Sequence, residues 1–183
     1  MIATGQRALL STVLVLVLSV GCVPAESVAA EEAWWVSATF VPRHSAIESI
    51  PLQRLEPAWL KASALRSDAL PPAAFKPGES VEDHGGSFTL TVDLEGDGRQ
   101  EKALVGVYQA RSREVGRFLL ILSPLSKGAW VKRALFTQPG RAGFSVLFLR
   151  EGRLVWADCM ECDTACTVVP SGRAFQLKCE SCC

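Results

Sequence analysis

Beyond Ser80 the side chains fall into an every-other-residue rhythm. Phe88, Leu90, Val92 and Leu94 interleave with Ser87, Thr89, Thr91 and Asp93, as in a strand with one buried face. Apolar runs follow at 102–108, 117–122, 130–136, 143–149, 153–159 and 174–179, with a shorter one at 166–169. Most are separated by turn residues: Gly96 and Gly98, Gly116, Gly128, Pro139-Gly140, Gly152 and Pro170-Ser171-Gly172. Short strands at this spacing predict a mainly β fold: an antiparallel meander, a sandwich or an open barrel. No block repeats, so neither a propeller nor a solenoid is expected.

Before Ser80 the text is irregular. Residues 33–41 (AWWVSATFV) predict one strand with Trp34 and Trp35 on opposite sides. Residues 57–66 (PAWLKASALR) predict a short helix: Pro57 suits its first position, and Leu60 and Ala64, flanked by Trp59 and Ala62, form an uneven apolar stripe. Pro71, Pro72 and Pro77 then mark a connector. The chain therefore divides into a leader (1–30), an irregular or helical segment (31–79) and a β domain (80–183). Three tryptophans would expose much apolar surface in a free linker, so the middle segment is expected to pack on the β domain.

The leader carries one basic residue, Arg7, ahead of an uncharged run from Ala8 to Val20. A helix needs roughly 20 apolar residues to cross about 30 Å of hydrocarbon. This run is shorter and fits the core of a secretory signal. Two processing routes are open. Leu18-Ser19-Val20-Gly21-Cys22 resembles a bacterial lipobox, with Ser19 where that pattern prefers Leu; cleavage after Gly21 would leave Cys22 lipidated at the new N-terminus. Signal peptidase alone would cut after Ala25 or Ala30, both preceded by small residues. The chain is thus expected to be exported, either as a periplasmic protein or a lipid-anchored one, with secretion as the alternative. It would touch a membrane only through that anchor.

Composition narrows the class. Hydrophobic residues are 49% and charged residues 21%, a globular balance. Lys plus Arg equals Asp plus Glu, 19 each, so no basic excess points to nucleic acid. The sequence specifies no partner.

Between two predicted strands lies Asp93-Leu94-Glu95-Gly96-Asp97-Gly98-Arg99-Gln100-Glu101. Carboxylates stand at the first, third, fifth and ninth places. A hard cation such as calcium takes six to eight oxygens, which alternate side chains of a curled loop can present. Gly98 permits the turn that brings the Arg99 carbonyl inward. The twelfth place is Leu104 and the flanks read as strands, so this is no EF-hand. The loop resembles the Asp-x-Asp-x-Asp-Gly-x-x-Asp hairpins of FG-GAP and VCBS-type repeats of exported and cell-surface proteins, where they hold calcium between strands of a propeller blade. The resemblance covers a single copy. It implies Asp93, Glu95, Asp97 and Glu101 as side-chain ligands and Arg99 as a carbonyl ligand.

Setting Cys22 aside, six of the seven cysteines remain, all between 159 and 183: Cys159, Cys162, Cys166, Cys179, Cys182 and Cys183. An even set in an exported chain predicts disulfides. A hairpin turning at Pro170-Ser171-Gly172 would set Cys162 opposite Cys179 and Cys159 opposite Cys183. Zinc is an alternative, because Cys159-x-x-Cys162 and Cys179-x-x-Cys182 have two-knuckle spacing. Redox use of a Cys-x-x-Cys pair is a third.

Catalytic signals are sparse. The two histidines, His44 and His84, sit in irregular stretches; Glu82 and Asp83 precede His84. No Gly-x-Ser-x-Gly elbow, phosphate loop or His-Glu-x-x-His motif occurs. The expected function is an exported, non-catalytic envelope or secreted binding or structural protein, with a calcium-braced, disulfide-stapled β domain. The alternative is an exported zinc- or thiol-dependent protein using the cysteine cluster.

Overall fold

A computed structural model describes residues 33–125, 128–161, 165–172 and 174–180. The leader, Cys22, Cys162, Cys182 and Cys183 lie outside the described residues. Within unit 32–183 the elements are α1 (Trp34–Ser37), β1 (Ala46–Ile47), β2 (Ile50–Pro51), α2 (Leu52–Leu55), β3 (Trp59–Ala64), β4 (Gly86–Ser87) and β5 (Thr89–Val92). Then come β6 (Glu101–Ala110), β7 (Val115–Pro124), β8 (Trp130–Pro139), β9 (Val146–Arg150), β10 (Arg153–Ala157), β11 (Ala165–Ser171) and β12 (Ala174–Glu180). The fold is mainly β and antiparallel, with a small helical N-terminal addition of two single-turn helices. Among the described residues no helix is long and apolar enough to cross a membrane.

Two five-stranded sheets carry the fold: β12-β11-β10-β9-β4 and β3-β6-β7-β8, with β5 also on β6. One stretch of chain joins them. Gly86 and Ser87 pair with Phe148 and Leu147 of β9, whereas Thr89 to Val92 pair with β6. At the crossover, the Phe88 carbonyl accepts the Val105 N–H at 3.1 Å. On the far side, the Arg133 guanidinium of β8 lies 5.9 Å from the Phe175 ring of β12. The result is a sandwich joined along one side, an open barrel in outline.

The central strands β6 and β7 are buried on both faces, which explains their nearly unbroken apolar text. Ala103, Val105, Val107, Leu119 and Ile121 share a core with Leu147, Leu154, Trp156, Val168 and Phe175 of the other sheet. The alternate residues Leu104, Tyr108, Phe118, Leu120 and Leu122 pack against Ile47, Leu52, Leu55, Trp59 and Ala62. Two rings fold over glycines directly across the ladder, Phe118 over Gly106 and Tyr108 over Gly116. A Cβ on Gly106 would sit 2.4 Å from the Phe118 ring and 2.3 Å from the Ser63 carbonyl, so any side chain there is excluded.

Two expectations fail in the N-terminal segment. Residues 57–66 do not form a helix: β3 pairs with β6, Trp59 opposite Ala110 and Lys61 opposite Gln109, so Leu60 is the extra residue of a bulge. That bulge converts the strand's two-residue rhythm into a three-residue spacing between buried Trp59 and Ala62, and this spacing imitates a helix. Tertiary packing decides the outcome, because Trp59 stacks on Tyr108 at 4.8 Å and 10°. Residues 33–41 do not form a strand either. Trp34–Ser37 is one helical turn, closed by the Ala38 N–H on the Trp34 carbonyl, and only Thr39 bridges to Gly143. A strand would have sent the two indoles to opposite sides. The turn keeps them together, 5.7 Å apart, with Trp34 on Phe144 at 4.8 Å.

Candidate functional site

The two indoles wall an open groove of about 1030 Å³. Its lining also includes Pro71, Pro72 and Phe75 of the proline-rich connector, together with Met160 and Glu161. Trp34 meets Phe75 edge-on at 5.6 Å, and Phe75 in turn stacks on His84 at 5.3 Å. Arg141 holds the tryptophan wall in place: its guanidinium donates to the carbonyls of Val36 and, at 3.2 Å, Trp35. The Phe40 N–H adds a bond of 2.7 Å to the Ala142 carbonyl. The opposite rim is pinned by Asp83, whose carboxylate accepts the Ser80 hydroxyl at 2.9 Å and the Ser80 N–H at 2.8 Å. Those bonds, the hydroxyl first, hold Asp83 below its ordinary carboxylate value.

Both histidines have structural surroundings. His84 Nε2 lies 3.8 Å from Glu79 Oε2 at the groove rim. His44 exchanges backbone hydrogen bonds with Ala62, at 2.9 and 3.0 Å.

The acidic loop is curled on its own carboxylates. Asp93 Oδ1 accepts the N–H groups of Gly96 (2.7 Å) and Asp97 (3.1 Å), and Oδ2 accepts that of Gly98 (2.8 Å). The Gly98 amide above all, then those of Gly96 and Asp97, lower the Asp93 pKa against the opposing effect of desolvation. Asp97 accepts the Arg99 N–H at 2.9 Å. Glu101, 2% exposed, accepts the Leu94 N–H at 3.0 Å. Glu95 turns out of the loop to the Arg133 guanidinium of β8 at 2.5 Å. Among the described residues no three acidic, histidine or cysteine side chains gather as an ion would require. Asp93, Asp97 and Glu101 are thus satisfied by backbone amides, and Glu95 is paired with Arg133 outside the loop.

At the C-terminus the hairpin turns close to the expected place, but in a different register. Cys166 faces Cys179 and is bonded to it; the expected Cys162–Cys179 pairing is therefore wrong. Cys159 is disulfide-bonded as well. With Cys179 and Cys159 both oxidised, the two-knuckle set loses two of its four thiolates. Register follows the apolar positions: pairing Cys166 with Cys179 sets Val168 opposite Leu177 and Pro170 opposite Phe175, which puts the apolar members on the face that meets the other sheet.

Spacing alone did not reveal Arg133, Arg141 or the groove. The available signal was the pair of tryptophans and the neighbouring prolines, residues far enough apart that only folding joins them. No protein-family model, no curated protein and no solved structure matches this chain.

Proposed function

We propose that this chain is an exported, non-catalytic binding protein of the bacterial envelope, periplasmic or anchored through a lipidated Cys22, which takes its partner in the groove walled by Trp34, Trp35 and Phe75. The observation that carries this reading is the groove itself. It is open, predominantly apolar and aromatic, and fixed by side-chain and backbone latches from three separate segments, as binding sites generally are. Its one histidine is engaged with Phe75 and Glu79 rather than with a nucleophile. Export accords with the signal-like leader and the disulfides of the tail.

A photo-crosslinking amino acid placed at exposed Lys76, inside the groove, and at exposed Gln176, on an outer strand, tests the reading in intact cells. Adducts are expected from position 76 and not from 176; equal labelling or none at either position removes the groove as the binding surface. The intact mass of the same purified protein reads out export. A start at acylated Cys22, at Glu26 or at Glu31 is expected, and a retained Met1 would overturn it.

Calcium belongs to this proposal as a ligand of an already folded loop, not as part of its scaffold. Asp93, Asp97, Glu101 and the Arg99 carbonyl would supply oxygens, and Glu95 would join them by leaving Arg133. A concentration tenfold above Kd is expected to raise the melting temperature by about 3–5 °C. An unchanged melting curve takes the ion out of the reading.

A further inference from the structure

We propose that the Cys166–Cys179 disulfide is a thiol–disulfide exchange site, attacked at Cys179 Sγ by an external dithiol. This stands independently of the groove and of calcium. Its basis is where the bond sits. Across the sheet, Leu147, Trp156, Cys166 and Cys179 occupy one row on four neighbouring strands. Cys166 is therefore flanked by Trp156, whereas Cys179 ends the row on β12, the outermost strand. Cys179 is exposed and Cys166 half-buried. Cys159, the other described half-cystine, is only 8% exposed. The Cys166–Cys179 bond is thus open to a nucleophile at Cys179, whereas Cys159 is buried, and exposed disulfides are the labile ones.

Exchange proceeds by in-line attack, the leaving sulfur opposite the entering one. A bond linking directly opposed residues runs across the ladder. The line of approach to Cys179 Sγ then comes from beyond the edge of the sheet, while the line to Cys166 Sγ comes over Trp156. The entering thiolate of the dithiol bonds to Cys179 Sγ, the Cys166–Cys179 bond breaks, and Cys166 departs as a thiolate and takes a proton. The dithiol's second sulfur, deprotonated, attacks its own partner in the mixed disulfide and releases Cys179. Two electrons and two protons pass to the protein, and the dithiol becomes a disulfide. The hairpin ladder and the buried Val168 and Phe175 remain to hold β11 and β12 in place.

The test uses the full-length oxidised protein under native conditions. Dithiothreitol is titrated in, free thiols are alkylated, and labelled peptides are mapped while circular dichroism follows the fold. Cys166 and Cys179 are expected to label at about tenfold lower reductant than Cys159, with the spectrum unchanged. Labelling of Cys159 first or together with them, or labelling of the pair only as the spectrum collapses, overturns the proposal. Reduced glutathione, quenched with acid before a second thiol attacks the mixed disulfide, reports the site of first attack. The adduct is expected on Cys179; an adduct on Cys166 overturns the assignment.

Discussion

Tyr108 is the chain's single tyrosine, so its titration can be followed without overlap. Its ring is stacked on Trp59 and its hydroxyl donates to Glu114 at 2.9 Å. Burial first, then that hydrogen bond and the negative charge of Glu114, push its pKa up to about 12 from an ordinary 10.0. Because the folded value lies above the unfolded one, Tyr108 contributes stability that is complete below pH 10 and is lost as pH rises toward 12. Absorbance of the tyrosinate is expected to appear near pH 12, or earlier only together with unfolding; a reversible midpoint at 10 in the folded protein would contradict the buried ring. The Asp93 carboxylate has the opposite sign. Its lowered value contributes stability above the ordinary 3.8, lost as acid takes the pH below it.

Among the elements, β3 offers the sharpest contrast between text and fold. Read as a helix, it would bury Leu60. As a bulged strand it leaves Leu60 50% exposed and Trp59 2% exposed. Replacing Trp59 by Ala is therefore expected to cost about 3–5 kcal/mol, and Leu60→Ser less than about 0.5 kcal/mol, both read from denaturant midpoints. A reversed order would restore the helix. The β1–β2 hairpin turns through Glu48 (φ 48°) and Ser49 (φ 63°), two left-handed residues that carry Cβ atoms. The geometry is that of a two-residue hairpin turn, where glycine is preferred. Ser49→Gly is expected to stabilise by about 1 kcal/mol, visible as a higher denaturant midpoint. The strands from β5 onward were legible in the sequence because side-chain rhythm and turn residues mark them, except that Gly116, expected in a turn, lies inside β7 opposite Tyr108 and Pro139, where the Tyr108 ring leaves no room for a side chain. The short N-terminal elements were not, because their conformation is imposed by partners distant in the chain.

Over the whole molecule, the sheet containing β6 and β7 forms one wall of both apolar cores. Neither core survives the loss of that sheet, so the two are expected to melt together. The near-ultraviolet signal, to which Trp156 contributes from one core and Trp59 and Tyr108 from the other, is expected to fall in a single step that coincides with far-ultraviolet loss of strand; two steps would show two independently folding layers. The mainly β class, the antiparallel strands with their turns and the tail hairpin at residues 170–172 were determined by the sequence alone, because side-chain alternation and turn chemistry are local properties. The cysteine count predicted disulfides but not their pairing, since a hairpin's register depends on which face meets the other sheet. Only the tertiary structure decided that Arg133 draws Glu95 out of the acidic loop, that Trp59 lies in a strand, and that two tryptophans and a proline connector share one groove. Each of these contacts is made across tens of residues, where packing energy and not local preference selects the conformation.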